Sequence, residues 1–433
     1  MIALLTALLL QSSAAGAPLT REFVVNAPSE VVATITAGCA HCDWAADNRE
    51  ALLLELRVDG EYSQHLALVR GEDPAAYPVM LGRLASGKHA LTIAIDHTRS
   101  APDAGALTVT DVAFTSYGQD APEFDWLQFA PRLRARPGTI EKFSDFPLVM
   151  YAERNIRGET GQQYRYQYTV IFTNEDGGTP TDRLMATWGR TTDIEFVYGL
   201  PVGKDVGEIQ AEGHKWIPFA GPKVGTHPVL WVATLNNMVA DHGPDEAITF
   251  APAPFMVDLT GTSREHVMDV QPWMYATTSK EMQREGRIDP AAQPGSGKIP
   301  DPRRYATAEA CGDVTDATLA FDIGVRQPDG AVAWFATDRG DAKFRIARGG
   351  CFRGGAPLPD GTTAAQIVGL RVRAYPRPPH EGDPAPAPGT GSVTMKSVTM
   401  IFMLNERYVP TKSAFTWKGS LPVKTDGAPV ELK

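Results

Sequence analysis

The feature that most constrains the fold is a regular alternation of apolar and polar residues over residues 20–118. Successive side chains of a β-strand point to opposite faces, so a period of two indicates a strand with one buried face. Turns separate the alternating segments, which are REFVVNA, EVVATITA, ALLLELRVDG, HLALVRG, PVMLGRL, HALTIAIDHT and ALTVTDVAFTSY. Short strands at such regular spacing predict an antiparallel, jelly-roll-like β-sandwich over residues 18–119.

The rest of the chain also favours strands. Because GQDAPEFDW at residues 118–126 is polar and rich in turn formers, we place a domain boundary between residues 119 and 125. Further segments with strand character are QYRYQYTVIF, LMATWG, DIEFVYGL, HPVLWVATL and AITFAPAPFMVDL, whereas SKEMQREGR and TSREHVMD favour short helices. The glycine-rich RGGCFRGGAP is predicted as a turn. We therefore predict a mainly β protein, with a larger β-sandwich-type domain with long loops over residues 125–433, and the pattern allows a sub-boundary near residue 305.

The first residues predict export. Residues 1–10 are an apolar run, and the small polar stretch QSSAAGA follows, as is typical of a signal peptide over residues 1–17. No later segment reaches the roughly 18 consecutive apolar residues that a membrane span needs. We expect a secreted or periplasmic protein without a transmembrane segment once the signal is removed.

Cysteine usage agrees with an oxidising compartment. The chain has 4 cysteines, of which Cys39 and Cys42 form a CxxC motif while Cys311 and Cys351 lie far downstream. Several pairings are open from sequence alone. If the N-terminal part is a separate domain, the natural choice joins Cys39 to Cys42 and Cys311 to Cys351. The CxxC lacks a surrounding βαβ pattern, which favours a structural bridge over a thioredoxin-like redox site.

Charge and motif placement narrow the search for a function. The formal net charge of -10 argues against nucleic acid as a partner, because its binders usually carry a basic face. Polar motifs are concentrated in residues 173–305, as TNEDGG, GRTTDIE, GHKW, THPVLWVATLNNM, REHVMDVQPW and DPRRY. A sequence that needed only to fold would spread such groups more evenly. We therefore expect the functional site in this stretch.

Two pairs of carboxylates are the main catalytic candidates. Asp193 and Glu195 lie two residues apart in a strand-like segment, which predicts that both point to one face. Such a pair suits acid–base chemistry or a hard cation, and a plain exposed face is the alternative. Glu265 and Asp269 lie four residues apart and share a face if the segment is helical. They form either an acid–base dyad or an ion-pair network that holds a loop.

Histidine, tryptophan and amide side chains supply the other candidates. His214 is a candidate catalytic imidazole, although a lone loop histidine is more often simply hydrogen-bonded. Tryptophans can stack on sugar rings or fill a sandwich core, and adjacent amides suit sugar hydroxyls or backbone capping equally. The predicted substrate-binding residues are Trp188, Trp216, Trp273, Asn236, Asn237, His227 and Arg190.

A divalent cation, calcium or magnesium, is the expected cofactor if there is one. Asp176 lies in the acidic turn TNEDGG, where carboxylate and carbonyl oxygens suit Ca²⁺. The alternative is an ordinary tight turn, since Asx residues and glycine favour turns. The candidate ligands are Asp176, Asp193 and Glu195.

Two local patterns resemble known proteins. LGRLASGKHALTIAID resembles ancillary sandwich domains of secreted glycan-active proteins. GRTTDIE at residues 189–195 resembles a degraded GHRHDWE heptad of the necrosis- and ethylene-inducing-like proteins. Over residues 165–240, the order VIFTNEDGG, TDIEFVY, GHKW and THPVLWVATLNNM is similar to the related vacuolar protein sorting 62 family.

The heptad resemblance implies a fold, a cofactor and a partner. It implies a β-sandwich that binds a divalent cation and glycosylated sphingolipid head groups. Gly189, Asp193 and Glu195 match the heptad, and the two carboxylates would be the ligands. Arg190 and Thr192 stand where the heptad has histidines, and isoleucine stands in place of its tryptophan. A guanidinium at that position would repel a cation.

Three functional hypotheses follow. The first is an exported carbohydrate-active hydrolase or lyase, thus a glycoside hydrolase or polysaccharide lyase, that uses paired carboxylates beside tryptophan platforms. The second is a non-catalytic protein that binds a glycan or a glycolipid head group, with or without a divalent cation. The third is a structural envelope protein in which the polar motifs hold loops in place.

Overall fold

The computed structural model describes residues 17–158, 161–175, 177–204, 206–379 and 389–433. It is mainly β, with several antiparallel sheets, which confirms the predicted fold class. The described residues form two compact units. The first unit contains residues up to 176 together with 195–257, and the second contains residues 177–194 together with 258–433.

The first unit begins with a β-sandwich. Its strands are β1 Leu19–Val25, β2 Ser29–Cys39, β3 Leu53–Val58, β4 Glu61–Ala67, β5 Ala75–Leu84, β6 Gly87–Ile95 and β7 Leu107–Tyr117. One sheet has the order β1-β6-β3-β4 and the other β5-β2-β7, with antiparallel pairing throughout. In β1, Phe23 and Val25 are buried and Glu22 and Val24 are exposed, as the period of two predicted, whereas the central strand β2 is buried on both faces. These strands account for the seven alternating segments of the sequence.

The remainder of the first unit adds two more sheets. Its elements are α1 Phe124–Leu127, β8 Arg132–Arg134, β9 Pro147–Arg157, β10 Gln163–Phe172, β11 Ile194–Pro201, β12 Glu208–Ala211, β13 Lys215–Pro218, β14 Lys223–Val224, β15 His227–Val232, β16 Val239–Ala240, β17 Thr249–Phe250 and β18 Phe255–Met256. The orders are β13-β12-β11-β10-β9-β18 and β14-β15-β8-β17, with β16 paired to β15. Both sides of the expected boundary at residues 119–125 lie in this unit.

Among its described residues, the second unit has two sheets and three α-helices. The helices are α2 Thr181–Trp188, α3 His266–Val270 and α4 Trp273–Arg284. The strands are β19 Tyr305–Thr315, β20 Ala317–Arg326, β21 Val332–Ala336, β22 Gly350–Pro357, β23 Ile367–Pro376, β24 Ser392–Leu404, β25 Pro410–Lys412, β26 Trp417–Val423 and β27 Val430–Glu431. One sheet is β22-β19-β24-β25, with β26 on β24, and the other is β21-β20-β23-β27. The core includes Phe321, Phe352 and Leu370.

Two local expectations from the sequence are wrong. LMATWG, predicted as a strand, lies in α2, where Thr181, Leu184 and Met185 are buried at helical spacing. Gly189, with φ 64°, ends that helix in the left-handed region that glycine favours. RGGCFRGGAP, predicted as a turn, contains strand β22. The two predicted helical segments overlap α3 and α4.

Both disulfides expected from a separate N-terminal domain are present. Cys39 is bonded to Cys42, and Cys311 is bonded to Cys351, where the two residues face each other across β19 and β22. The predicted signal peptide covers residues 1–17, of which residues 1–16 lie outside the described residues. Among the described helices, none has the length and apolar character needed to cross a membrane.

Candidate functional site

The second unit brings three of the predicted residues together in a buried ionic cluster. Nε of Arg190 lies 3.3 Å from Oε1 of Glu265, and Nη1 of Arg190 lies 3.8 Å from Oδ1 of Asp193. All three side chains are buried. Arg190 reaches this position because α2 ends at Gly189 and the chain turns, while Glu265 directly precedes α3. Arg264 adds a second guanidinium 3.8 Å from the Glu265 carboxylate.

A third arginine, which the sequence did not single out, completes the cluster. Arg353 on β22 is fully buried, and its Nε donates to Oε2 of Glu309 at 2.7 Å. Its Nη1 and Nη2 donate to the two carboxylate oxygens of Asp269 at 3.1 and 2.5 Å. The hydroxyl of Tyr275 donates to Asp269 at 2.8 Å and accepts from Arg353 at 3.0 Å. Arg353 is therefore the shared counter-charge of two buried carboxylates.

Electrostatics keep Glu265 and Asp269 ionised. Burial opposes the charged form of Glu265, but the guanidinium groups of Arg190 and Arg264 outweigh burial and hold its pKa below the usual value. Burial likewise opposes ionisation of Asp269, and Arg353 outweighs it, so that the pKa of Asp269 is also lowered. Cleavage of a glycosidic bond by paired carboxyls needs one acid with a raised pKa. Neither Glu265 nor Asp269 meets that requirement.

His266 adds a partly exposed imidazole to this cluster. Its side chain is 35% exposed, and its Nδ1 lies 3.1 Å from Oδ2 of Asp269. The hydrogen bond to Asp269 raises the pKa of His266 above its ordinary value. Among the described residues, Nε2 of His266 has no hydrogen-bond partner, so this nitrogen is available to solvent or a ligand.

The predicted tryptophans of this unit are engaged with protein groups. The ring of Trp188 is half-buried, and the guanidinium carbons of Arg348 and Arg190 lie 4.7 and 5.8 Å from its centroid. Trp273, also half-buried, donates its indole N–H to the side chain of Gln271 at 3.0 Å. A sugar could stack on Trp188 only after displacing a guanidinium.

The other predicted residues lie in the first unit. Glu195 is buried at the start of β11, one residue beyond the boundary that places Asp193 in the second unit. His214 is exposed in the turn between β12 and β13, with φ 58°. Trp216 on β13 is half-buried, with its ring 5.2 Å from that of Tyr164. The catalytic or cation-binding role of Glu195, the catalytic role of His214 and the substrate-binding role of Trp216 stay predictions.

The two amides and the remaining histidine are held by hydrogen bonds within the first unit. Asn236 is half-buried, and its backbone N–H donates to Oγ1 of Thr234 at 3.3 Å. Asn237 is fully buried and donates to the carbonyl of Asn174 at 3.1 Å. His227, also buried, lies 3.0 Å from the carbonyl of Ala130 through Nδ1 and 3.0 Å from a carboxylate oxygen of Glu30 through Nε2. His227 and Asn237 thus hold the interior of the unit together.

The predicted cation ligands do not converge on a described site. Asp176 lies outside the described residues. In the part of the chain that the structure describes, no three His, Cys, Asp or Glu side chains stand together as a metal site. A bound calcium or magnesium ion stays a prediction.

The second unit also contains a pocket of about 740 Å³. Four of its charged lining residues form two ion pairs, and the fifth is a further acid. Asp301 binds Arg303 through two hydrogen bonds of 2.9 and 2.5 Å, and Arg304 lies 2.8 Å from Asp360. The carboxylate of Glu406 lies exposed at the rim. Because Asp301 caps the short 3-10 turn Pro302–Arg304, the motif DPRRY places both arginines on this pocket.

The rest of the pocket combines an apolar floor with neutral polar groups. Ile288, Pro290 and Met403 are among its apolar residues, and Thr362 and Asn405 are among its polar ones. The nearby ring of Tyr408 lies 5.0 Å from the guanidinium carbon of Arg303. Burial raises the pKa of Tyr408, so its hydroxyl is a neutral donor and acceptor at ordinary pH.

Sequence reasoning found only part of this pocket. DPRRY stood out as a polar motif, but the motif alone gave no role to its residues. Asp360, Asn405 and Glu406 lie in two loops that are far apart in sequence, and single polar residues in loops carry no recognisable pattern. Only the packing of β24 and its neighbouring loops brings them to one place.

Comparisons with known proteins do not assign a family. No family model matches the chain, and no curated protein matches it. The C-terminal domain of EclA, a sugar-binding protein, aligns with a TM-score of 0.18 and 17% identity over 23% of this chain and 68% of its own. The CBM36-1 domain of a multidomain xylanase from the hindgut metagenome of Trinervitermes trinervoides aligns with a TM-score of 0.18 and 15% identity. That alignment covers 24% of this chain and 73% of the xylanase domain.

A third solved structure gives a similar result. The family two carbohydrate esterase from Clostridium thermocellum, in complex with cellohexaose, aligns with a TM-score of 0.16 and 16% identity. That alignment covers 28% of this chain and 31% of the esterase. Similarities of this size establish neither a shared fold nor a shared function for this protein.

Proposed function

We propose that this protein binds a glycan in the pocket lined by DPRRY, without cleaving it. The observation that carries this proposal is the lining of the pocket, where two arginine–carboxylate pairs stand beside an apolar floor. Its volume lies within the roughly 300–1,000 Å³ of small-molecule sites, which join apolar walls to a few placed polar groups. The proposal corresponds to the binding hypothesis rather than to the hydrolase hypothesis.

The chemistry of the pocket suits a neutral polyhydroxylated ligand. Three carboxylates and two guanidiniums line it, so it has no excess positive charge to attract an anion. An arginine paired with a carboxylate keeps N–H groups and lone pairs that can bind neighbouring hydroxyls. The apolar lining residues suit the C–H face of a sugar. Asp360, 82% exposed, is reached from solvent without any rearrangement.

Binding is preferred to cleavage because Glu265 and Asp269, two of the predicted catalytic acids, are unsuited to proton transfer. Glu265 is buried and paired to Arg190, and Asp269 is held by Arg353. Both have lowered pKa values, so neither offers the protonated carboxyl that glycosidic cleavage requires.

One observation favours a second candidate function, acid–base catalysis by a hydrolase or lyase. The half-exposed imidazole of His266 is oriented by Asp269 and leaves Nε2 available. An imidazole held in this way by a carboxylate is suited to general acid–base catalysis. If this candidate is correct, the protein consumes its glycan and His266→Gln stops the reaction.

The place of action and the particular ligand also belong to the proposal. Two disulfides agree with export to an oxidising compartment, secreted or periplasmic, where the glycan would be met. A glycolipid head group is the ligand implied by the heptad resemblance. A soluble polysaccharide fits the pocket chemistry equally well, and a structural envelope role would need no ligand at all.

The test is binding of the full chain to immobilised glycans, followed by titration calorimetry with the strongest one. We expect Asp360→Ala to weaken binding about tenfold to a hundredfold, since a hydrogen bond to a charged group contributes about 1.5–3 kcal/mol. Asp360 is exposed, so the substitution should leave stability unchanged. The same samples are assayed for new reducing ends, and none should form.

The matched control is Asp313→Ala, which breaks another exposed ion pair of the second unit, Asp313 with Lys396 at 2.6 Å. It should leave glycan affinity unchanged. Equal affinities for wild type and Asp360→Ala would reject this pocket as the binding site. New reducing ends that disappear in His266→Gln would establish the enzyme, and no binding to any glycan would favour the envelope role.

A further inference from the structure

The first unit contains a relay of three hydrogen-bonded side chains that the proposed function does not use. The hydroxyl of Tyr62 lies 2.8 Å from Nδ1 of His65, and Nε2 of His65 lies 3.1 Å from Oδ2 of Asp96. Because the Asp96 carboxylate accepts the proton on Nε2, Nδ1 holds the lone pair and accepts the Tyr62 proton. The three groups therefore stand in the order of nucleophile, base and orienting acid.

The relay depends on an irregularity in β4. In the pairing of β3 with β4, Tyr62 faces Arg57 and Gln64 faces Leu56, so Ser63 is an extra, bulged residue. In a regular strand, residues 62 and 65 would point to opposite faces. The bulge removes this conflict and lets the two side chains meet. Such bulges often redirect a side chain next to a functional site.

The orienting carboxylate is fixed from several sides. Asp96 directly follows β6, and its Oδ1 accepts the hydroxyl of Thr98 at 2.6 Å. Its Oδ2 accepts Nη1 of Arg99 at 2.9 Å in addition to His65. Burial opposes ionisation of Asp96, but these hydrogen bonds outweigh it and hold the pKa of Asp96 well below its usual value.

The protonation states suit base-assisted attack. Burial lowers the pKa of His65 despite its bond to Asp96, so the imidazole is neutral and free to accept a proton at neutral pH. Burial also raises the pKa of Tyr62, although the Thr249 N–H and the charges of Arg134 and Arg132 oppose the rise. The resting tyrosine is a neutral phenol that needs a base in order to react.

The Tyr62 end of the relay reaches solvent, and a nearby pocket is lined by neighbours of the relay residues rather than by Tyr62, His65 or Asp96 themselves. Tyr62 is 39% exposed, whereas His65 is only 3% exposed. Arg99, which binds Asp96, also lines a pocket of about 320 Å³. Ile248 lines the same pocket, and the next residue, Thr249, donates its N–H to the Tyr62 hydroxyl at 2.9 Å. A volume at the small end of ligand sites suits a small substrate.

We propose that Tyr62 is a nucleophile that accepts the acyl group of a small ester, with His65 as its general base and Asp96 as a positioning residue. Oη of Tyr62 bonds to the ester carbonyl carbon while the phenolic proton moves to Nδ1 of His65. The carbonyl–alkoxy bond then breaks, and the leaving alkoxide takes the proton from His65. Water hydrolyses the resulting aryl ester, which releases the acid and restores Tyr62.

The test exposes the full chain to p-nitrophenyl acetate and maps acetylated tyrosines by peptide mass spectrometry. Tyr117 is an internal control, because it is half-buried, burial raises its pKa, and its hydroxyl has no partner among the described residues. We expect Tyr62 to be acetylated about a hundredfold faster than Tyr117, the lower range of general-base assistance. His65→Gln should bring Tyr62 to the rate of Tyr117, and Tyr62→Phe should remove the label.

The pH profile separates base assistance from ordinary phenol reactivity. Because burial lowers the pKa of His65 below the ordinary histidine value of about 6.5, the rate at Tyr62 should already be constant above about pH 6.5. A rate that keeps rising toward about pH 10 would be that of an unassisted phenol and would overturn the proposal. If His65→Gln does not fold, the wild-type comparison still decides, since equal acetylation of Tyr62 and Tyr117 also overturns it.

Discussion

Arg353 shows at the scale of one residue how the buried cluster of the second unit is held together. Its guanidinium is the shared partner of Asp269 and Glu309, which come from segments 84 and 44 residues away in the sequence. Glu309 in turn accepts the hydroxyls of Ser263 and Thr399 at 2.7 and 2.9 Å. Desolvated carboxylates are tolerated only with such complete pairing.

We predict that Arg353→Met strongly destabilises the protein. The substitution keeps the apolar volume but leaves two buried carboxylates without their counter-charge, which costs about 3–5 kcal/mol. Urea unfolding at neutral pH measures the loss. Arg371→Met is the control, since Arg371 stacks 3.7 Å from the ring of Trp334 and its pair with Glu431 is solvent-exposed. Its loss should stay within about 1 kcal/mol, and equal losses for both variants would contradict the account.

The same residues show what the sequence could and could not predict about the site. The spacing of Glu265 and Asp269 allowed two roles, an acid–base dyad or an ion-pair network, and in the structure both carboxylates are paired with arginines. The choice could not be made earlier, because the arginine that binds Asp269 lies in a segment predicted to be a turn. Arg353 and Asp269 are 84 residues apart in the chain, and local sequence patterns contain no information on such long-range pairing.

At the scale of elements, the alternation of apolar and polar residues predicted the strands correctly, whereas a run of glycines was wrongly taken to indicate a turn. Seven alternating segments became the seven strands β1–β7, because one face of each strand must be buried. The glycines of RGGCFRGG suggested a turn, but two of them allow α2 to pack closely on β22. A Cβ on Gly355 would lie 2.7 Å from the carbonyl oxygen of Met185, and one on Gly354 would lie 3.0 Å from that of Ala186.

The Cys311–Cys351 bridge should stabilise these strands more than the other disulfide does. It closes 40 residues of chain between β19 and β22, whereas Cys39 and Cys42 are separated by 3. The chain-entropy relation gives about 4 kcal/mol for the long loop and about 2 kcal/mol for the short one. We predict that replacing Cys311 and Cys351 by alanine lowers the melting temperature more than replacing the other pair does.

Differential scanning calorimetry of the two double variants measures this difference, with wild type in the presence and absence of reductant alongside. Reductant should lower the wild-type melting temperature toward that of the variant lacking Cys311 and Cys351. A wild-type transition that reductant does not move, with both of these thiols shown to be free, would contradict the prediction.

For the molecule as a whole, lowered carboxyl pKa values make stability depend on acid pH. The carboxyls with a lowered pKa include Asp59, Asp96, Asp125, Asp241, Glu265, Asp269 and Asp301. The native state holds these groups ionised at pH values where the unfolded chain has begun to bind protons. The stability they contribute is therefore present above their unfolded pKa of about 4 and is lost as pH falls below it.

Two histidines act in the opposite direction. His89, bonded to Asp59, and His266, bonded to Asp269, have raised pKa values. A raised pKa contributes stability that is fully present below about pH 6.5 and is lost as pH rises through the folded pKa. These two imidazoles contribute in this direction, each through one carboxylate partner, whereas the seven carboxyls named above contribute to the acid decline, so the alkaline decline should be shallow beside it.

We predict that the urea midpoint of the full chain is highest between about pH 5 and 7 and falls steeply below about pH 4. Repeating the series in 1 M NaCl separates the contributions. Salt screens the exposed pair of Asp125 with Arg165, 2.7 Å apart, but reaches the buried pairs of Glu265 and Asp269 much less. The acid decline should therefore persist in high salt. If 1 M NaCl abolished the acid decline, exposed charges alone would account for the acid sensitivity. The buried cluster would then not be its cause.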